Sequence, residues 1–150
     1  MSPTALIALS GQLDEMHEGL AMRARKNLAV YPNVSVHVGD VAAFDPGDCD
    51  AIFINAGVTH PHSLWLEHLS RGGRLILPLT VSTDSANAGT GIVAKIIRGE
   101  HGFSASVVTI VGIYSCTSVR DSEMNAALAN ALSTKALFKV KSVRTDQHQQ

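Results

Sequence analysis

Strand-like and helix-like segments alternate along this chain, and the alternation limits its fold more than any other feature of the sequence. Residues 51–55 (AIFIN) and 74–80 (RLILPLT) are short, continuous apolar runs, which are typical of strands buried on both faces of a sheet. Apolar residues recur every four positions within 17–29, with basic residues on the other side, and this spacing predicts an amphipathic helix. The sequence therefore predicts an α/β fold.

Propensity and turn residues indicate the other elements. The alternating, β-branched run 34–38 (VSVHV) predicts a strand. A helix is predicted from Pro61 to the two glycines at 72 and 73, with a buried stripe of Leu64, Trp65 and Leu69. The remaining predictions are a helix tail over 3–10, a loop over 82–90, strands over 91–98 and 104–115, a helix over 121–133 and a strand over 137–143. Together they describe one Rossmann-like domain over 1–150, with an open, mostly parallel sheet, antiparallel C-terminal strands and three α/β/α layers.

Composition and charge narrow the class of partner. Hydrophobic residues make up 45% of the chain and the formal net charge is −1, which argues against binding to nucleic acid or to an anionic membrane. No run approaches the roughly 18 apolar residues of a membrane span. The two cysteines, Cys49 and Cys116, form no C-x-x-C pair and are expected to be reduced. These features predict a cytoplasmic protein with a small or neutral partner.

Polar residues close successive predicted strands. In open α/β sheets, ligands bind beyond the carboxyl ends of the strands, so the candidate residues are Glu15, Asp40 and Asn55. Glu15 is the candidate acid for ribose hydroxyls, and Asp40 could accept a hydrogen bond from an adenine amino group. Gly39 allows a tight turn before Asp40. The three residues predict a site for a nucleoside cofactor.

A nucleoside site of this kind also needs a glycine-rich turn about 20 residues before the ribose acid. Counting back from Glu15 places that turn roughly five residues before Met1, and no G-x-G-x-x-G precedes Glu15. We therefore expect a domain shortened at its N-terminus, through deletion or an internal start.

Each candidate also has a purely structural interpretation, which the residues alone leave open. Glu15 could be a solvated acid at a helix N-terminus, stabilised by the helix dipole. Asp40 could cap the next segment or form an Asx turn. Asn55 could belong to a turn in which asparagine and glycine supply positive φ.

An ordered set of segments resembles class I S-adenosylmethionine-dependent methyltransferases, in particular protein-L-isoaspartate O-methyltransferases. The segments are ARKNLAVYPNVSVHVGD, DAIFINAG, LWLEHLSRGGRLILPL and GFSASVVTIVGIYSCTSVRD. The resemblance implies that Glu15 binds the cofactor ribose, that Asp40 recognises the adenine, and that Asn55 and Ala56 face the methyl donor and acceptor. Gly39 and Val41 are counted among the cofactor-binding residues, although the family usually has glycine at the position of Val41. It further implies S-adenosylmethionine as cofactor and a protein or small molecule as methyl acceptor.

Two other functions stay open from the sequence. The segments GDVAAFD and INAGVT also resemble short-chain dehydrogenases that bind NAD, although no Tyr-x-x-x-Lys pair is present. A non-catalytic scaffold that forms a homodimer is the third possibility, because loss of a central strand would leave sheet edges unpaired. A metal site is not predicted, because His60, His62 and His68 have no known ligand spacing. No catalytic residue is assigned, since a carboxylate acceptor needs no general base.

Overall fold

The computed structural model describes residues 5–8, 16–82 and 87–145, which form one mixed α/β arrangement. In chain order the elements are β1 (Ala5–Ala8), α1 (Met16–Leu28), β2 (Cys49–Ile54), α2 (Ser63–Glu67), β3 (Leu69–Ser82), β4 (Ala88–Arg98), β5 (Phe103–Tyr114), α3 (Ser122–Ser133) and β6 (Ser142–Val143). Short 3₁₀ turns at Thr117–Val119 and Ala136–Lys139 flank α3.

The described strands form one open sheet whose spatial order equals their chain order, β1-β2-β3-β4-β5-β6. β1, β2 and β3 run parallel, whereas β3 through β6 pair antiparallel. The predicted α/β class and the antiparallel C-terminal strands are confirmed. The parallel part is smaller than predicted, since three of the five strand pairs are antiparallel.

The N-terminal part of the sheet corrects two predictions. Residues 5–8 form a strand, not the predicted helix tail, and this strand lies along β2 from Ala5↔Ala51 to Ala8↔Ile54. With β1 on one side and β3 on the other, β2 has no free edge. Residues 34–38, predicted as a strand, lie outside the sheet. Alternation alone therefore did not decide which segment pairs with β2.

Two predicted helices are confirmed, and local side-chain chemistry explains their ends. α1 carries Glu18 in its first turn and basic residues in its last, which complements the helix dipole. α3 begins at its N-cap Asp121, whose carboxylate accepts the Met124 N–H at 2.8 Å.

The helix predicted over 61–73 is real but much shorter. α2 is capped by the His62 ring at its start and ends at Glu67. Arg98 of the neighbouring strand β4 donates to the carbonyls of Glu67 (3.0 Å) and Leu69 (2.6 Å), which satisfies carbonyls that a longer helix would have used. The predicted stop at the glycines is therefore wrong, because a cross-strand arginine ends the helix earlier.

The core lies between α2, α3 and the middle of the sheet. Its largest fully buried side chains include Trp65, Ile52, Ile54, Leu75, Leu77, Ile92 and Ile96. Of the three residues in the predicted buried stripe, Trp65 and Leu69 are fully buried and Leu64 is only half-buried. Leu66, which was not predicted, is buried.

The strand predicted over 137–143 is mostly a 3₁₀ turn, and only Ser142 and Val143 pair with β5. Among the described residues, no helix has the length and apolar character needed to cross a membrane.

Candidate functional site

The segment that follows β2 forms backbone hydrogen bonds with two other segments at the carboxyl edge of the sheet, where the parallel strands end. Val58 continues the ladder along β3, accepting from the Thr80 N–H (2.9 Å) and donating to the Pro78 carbonyl (3.0 Å). Gly57 donates to the Tyr114 carbonyl at 2.8 Å and accepts from the Cys116 N–H at 2.8 Å. The ends of β2, β3 and β5 therefore meet at one edge.

A half-buried arginine fastens this edge to α3. Arg120 Nη1 donates to the Gly57 carbonyl (3.3 Å) and the Thr80 hydroxyl (3.1 Å), and Nη2 donates to the Thr80 carbonyl and Asn125 Oδ1, both at 2.7 Å. Burial lowers the pKa of the guanidinium from its ordinary value. All four Nη hydrogens are engaged, so Arg120 positions the edge and offers only Nε to a ligand.

Sequence reasoning did not identify Arg120, because nothing in its local pattern separates it from other charged residues near a helix start. Its partners come from three segments that are distant in sequence, around Gly57, Thr80 and Asn125. One local signal was available. Arg120 places a positive charge next to the N-cap Asp121, at the N-terminal end of α3, where the helix dipole favours negative charge.

Asp40 lies on the loop between α1 and β2, and not at the end of a strand as predicted, because residues 34–38 do not join the sheet. Its Oδ1 accepts the Ala42 N–H at 2.9 Å. A hydrogen bond from the Ser118 side chain, the one from Ala42 and the nearby His62 together lower the pKa of the Asp40 carboxyl, against a smaller effect of burial. Ser118 lies in the 3₁₀ turn after β5, so this contact relates Asp40 to the segment that follows β5. The side chain is exposed and ionised at neutral pH, as a ligand-binding carboxylate must be.

Asn55 and Ala56 occupy the predicted position at the end of β2 but differ in exposure. Asn55 is exposed, whereas Ala56 is buried with 1% of its surface accessible. Asn55 can offer its amide to a ligand. Ala56 contributes through packing and through its small size.

Gly39 and Val41 flank Asp40 in different ways. Gly39 has φ 159°, and no heavy atom of the described residues lies within 4 Å of the place that a Cβ would take, so space is open beside the carboxylate. The Val41 side chain is buried in the core, and its carbonyl accepts the Trp65 indole N–H at 3.2 Å. Burial of the Val41 side chain therefore fixes the position of this turn, and the hydrogen bond from Trp65 stabilises it.

The loop after Val58 contains a second polar group. The Thr59 hydroxyl oxygen lies 2.9 Å from His60 Nδ1 and accepts the Asp121 N–H at 3.1 Å. Burial lowers the pKa of His60, partly offset by Asp121. Ser115, which bridges to Gly57, has a buried hydroxyl oxygen without a hydrogen-bond partner in the described structure. Such a group calls for a water or a ligand.

Glu15, the predicted ribose acid, lies outside the described residues. The structure places Gly39, Asp40 and Val41 on the loop between α1 and β2, and Asn55 and Ala56 directly after β2. Among the described residues, no cluster of three or more histidine, cysteine or acidic side chains could hold a metal ion. His68 instead lies against Asp45, with Nε2 3.2 Å from Oδ1.

Comparison with known proteins gives a likeness of fold. No family model matches the sequence, and no curated protein matches it. Among solved structures, one described as a candidate protein-L-isoaspartate O-methyltransferase from Plasmodium falciparum, in complex with S-adenosyl-L-homocysteine, superposes with a TM-score of 0.51 at 16% identity. A second, described as a protein-L-isoaspartate O-methyltransferase, superposes with a TM-score of 0.55 at 16% identity.

These superpositions cover most of this chain but a smaller share of the others. The first covers 75% of this chain and 51% of its counterpart. The second covers 86% of this chain and 37% of its counterpart. This chain therefore spans about half, or less, of the structures it resembles. It has the α/β fold of these methyltransferases over that part.

Proposed function

We propose that this chain forms the cofactor-facing part of an S-adenosylmethionine-dependent methyltransferase of the protein-L-isoaspartate O-methyltransferase type. The observation that carries the proposal is the superposition of this sheet on those of two protein-L-isoaspartate O-methyltransferases, with the polar residue Asn55 directly after β2. Asn55 is exposed at the carboxyl end of a parallel strand, where α/β folds bind nucleosides, and Asp40 is an exposed carboxylate on the loop before β2. One of the superposed structures has S-adenosyl-L-homocysteine bound.

The residues at this edge fit a nucleoside. The Asp40 carboxylate is held ionised, and a carboxylate has about four acceptor sites, of which the Ala42 and Ser118 hydrogen bonds use two. No heavy atom of the described residues lies within 4 Å of the place that a Gly39 Cβ would take, and Ser115 has a buried hydroxyl for which a ligand or a water would be a partner. Glu15 is proposed to bind the ribose, as the sequence resemblance implies.

Methyl transfer of this kind asks the protein for geometry more than for acid–base chemistry. When bound, S-adenosylmethionine supplies a methyl group on a positively charged sulfur. Asp40 and Asn55 would orient the nucleoside, and the closely packed Ala56 would keep the acceptor side narrow. Such orientation of reacting groups can lower a barrier by several kcal/mol. The acceptor is proposed to be a carboxylate or another oxygen of a protein or small molecule.

Calorimetry with S-adenosylhomocysteine and, separately, with NAD tests the proposal. We expect the full chain to bind S-adenosylhomocysteine, and Asp40→Ala or Glu15→Ala to weaken binding by about 1–3 kcal/mol each, or roughly 5–150-fold in Kd. Glu100→Gln is the matched control, because Glu100 is exposed in the β4–β5 turn, at the opposite edge of the sheet.

The same titrations separate the alternatives. Binding of NAD in place of S-adenosylhomocysteine would favour the dehydrogenase-like function. Binding of neither would favour a scaffold without a cofactor. A homodimer stays a prediction, and light scattering after size exclusion would test it. Because β1 already fills the edge of β2, strand exchange would have to use another edge of the sheet.

A further inference from the structure

One side of β5 is a sheet edge that the described residues leave open over most of its length. β4 pairs with β5 along the other side. On the open side, β6 pairs only with the first two residues of β5, and the Lys141 carbonyl accepts the Ala105 N–H at 2.9 Å. At the far end of the strand, the Tyr114 carbonyl accepts the Gly57 N–H at 2.8 Å. The open edge therefore lies between Ala105 and Tyr114.

The alternation of backbone groups shows which residues face the open edge. The Ser115 N–H donates to the Asn87 carbonyl on the β4 side at 2.8 Å. Successive residues of an antiparallel strand direct their N–H and C=O groups to opposite sides, and no register shift falls between Ile110 and Tyr114. The backbone groups of Ile110, Gly112 and Tyr114 therefore point away from β4. No described residue pairs with Ile110 or Gly112 on that side.

This edge has few of the features that keep sheet edges from pairing. Charged side chains, proline and bulges commonly protect the edges of natural sheets. Residues 102–119 contain no charged residue, no histidine and no proline. A bulge is present at Val108, where the register with β4 shifts, but it precedes the regular stretch that contains Ile110 and Gly112. Such an edge favours pairing with another uncharged strand.

We propose that the open edge of β5 pairs with β5 of a second copy of this chain, antiparallel, about a two-fold axis at Val111. In this register Ile110 lies opposite Gly112 of the partner subunit, and Gly112 lies opposite Ile110 of the partner subunit. Each of these pairs exchanges both of its N–H···O bonds, so the unused groups of the two residues bond only to each other. The inference does not depend on the proposed function.

Moving the axis by one residue in either direction gives a poorer fit. With the axis at Gly112, Ile110 would lie opposite Tyr114 of the partner subunit, whose carbonyl is already bonded to Gly57. With the axis at Ile110, Gly112 would lie opposite Val108 of the partner subunit, which is the extra residue of the bulge. The register centred between Ile110 and Gly112 avoids both conflicts.

Side chains and charge also fit a second copy. The Ile110 side chain is 73% exposed. Among the described residues, a Cβ on Gly112 would meet only Thr90 Cγ2, at 3.9 Å, so Ile110 of the partner subunit has room to pack over the glycine. An uncharged strand leaves no charge unpaired when it joins an uncharged edge, and the formal net charge of −1 gives little repulsion between copies.

Sedimentation velocity of the full chain over a wide range of concentration tests the pairing. We expect a reversible dimer. Ile110→Lys should raise the dimer Kd about tenfold or more, because an apolar side chain is lost from the interface of each copy. Val30→Lys is the matched control and should leave the Kd unchanged, since Val30 is 76% exposed and lies outside the sheet. Circular dichroism checks that both variants keep the fold.

Disulfide cross-linking tests the register. Val111→Cys would place the two substituted residues directly opposite each other, with Cα atoms about 4.5 Å apart, which is within the range of a disulfide. Thr109→Cys is the control, because its two Cα atoms would be about 14 Å apart in this register. Mild oxidation should give a covalent dimer with Val111→Cys alone. The native Cys49 and Cys116 are buried.

Several results would overturn the inference. A protein that stays monomeric at every concentration would leave the edge to a strand of another protein. A dimer that Ile110→Lys and Val30→Lys affect equally would use another surface. Cross-linking through Thr109→Cys as readily as through Val111→Cys would exclude the proposed pairing. None of these results bears on cofactor binding, so the proposed function is tested separately.

Discussion

Thr80 accepts two hydrogen bonds from the single guanidinium of Arg120, one on its carbonyl oxygen at 2.7 Å and one on its hydroxyl at 3.1 Å. The same guanidinium also donates a hydrogen bond to the Gly57 carbonyl at 3.3 Å, in the segment that follows Asn55. This fork joins the end of β3 to the loop after β2 and to α3. The position of the candidate site therefore depends on one arginine that does not need to touch a ligand.

Arg120→Met should destabilise the protein by about 1–3 kcal/mol, because the buried Thr80 groups lose their partner. Arg120→Lys should recover only part of the loss, since an ammonium cannot reproduce the fork. Urea unfolding followed by circular dichroism measures both. Arg71→Met is the control: Arg71 and Glu100 are each 71% exposed, and their ion pair should contribute below about 1 kcal/mol. Equal effects of the two methionine variants would contradict the fork's role.

Gly57→Ala should destabilise the protein because its new Cβ would overlap the Thr80 hydroxyl and lie 3.2 Å from Thr80 Cβ. We expect a cost of about 1–3 kcal/mol, as for other overpacked sites. Adding Thr80→Ala should make the double variant less unstable than the sum of the two single effects, which a double-mutant cycle measures. Gly19→Ala in α1 meets nothing within 4 Å and should stabilise by about 0.5–1 kcal/mol. Strict additivity at Gly57 and Thr80 would count against the clash.

Asp40 should titrate below the ordinary aspartate value, since Ser118 and Ala42 hydrogen-bond its ionised form. A lowered pKa in the folded state means that its stabilising effect is complete above the unfolded pKa of about 3.9 and is lost as pH falls through the folded pKa. Carboxyl-carbon NMR titration of the unsubstituted protein and of Ser118→Ala measures the shift. Ser118→Ala should move the Asp40 pKa upwards. No change in that variant would exclude the Ser118 contact.

Trp65→Phe should destabilise the protein by about 1–3 kcal/mol, because the buried Val41 carbonyl loses the indole N–H at 3.2 Å. The chain has one tryptophan, so Trp65 fluorescence reports unfolding of the unsubstituted protein directly. Denaturation of the variant is followed by circular dichroism. Because Val41 follows Asp40, Trp65→Phe should also weaken S-adenosylhomocysteine binding without any contact between Trp65 and the ligand. Unchanged stability would mean that the indole bond contributes nothing.

Some elements could be predicted from sequence because their signals are local. The helices α1 and α3 lie close to their predicted bounds, since periodic apolar residues and an aspartate N-cap act within a few residues. The apolar runs at 51–55 and 74–80 form β2 and part of β3 for the same reason. Asn55 could be placed directly after β2 for the same reason, whereas Asp40, predicted to close a strand over 34–38, lies on a loop outside the sheet.

Other elements depended on partners that are distant in sequence. Residues 5–8 form a strand because they pair with the edge of β2, and residues 34–38 do not pair with it. The end of α2 was decided by Arg98 on β4, and the buried turn at Val41 by Trp65. Each outcome depends on hydrogen bonds between residues that are more than 20 positions apart in the sequence.

The sequence by itself determined the α/β class, the two long helices and the strand-end position of Asn55, since periodicity and capping operate within a turn or two of chain. The tertiary structure alone decided which segment pairs with β2 and how Arg120 holds the end of β3. These features require backbone and side-chain groups from separate segments to meet at hydrogen-bond distance. No local pattern specifies such a meeting.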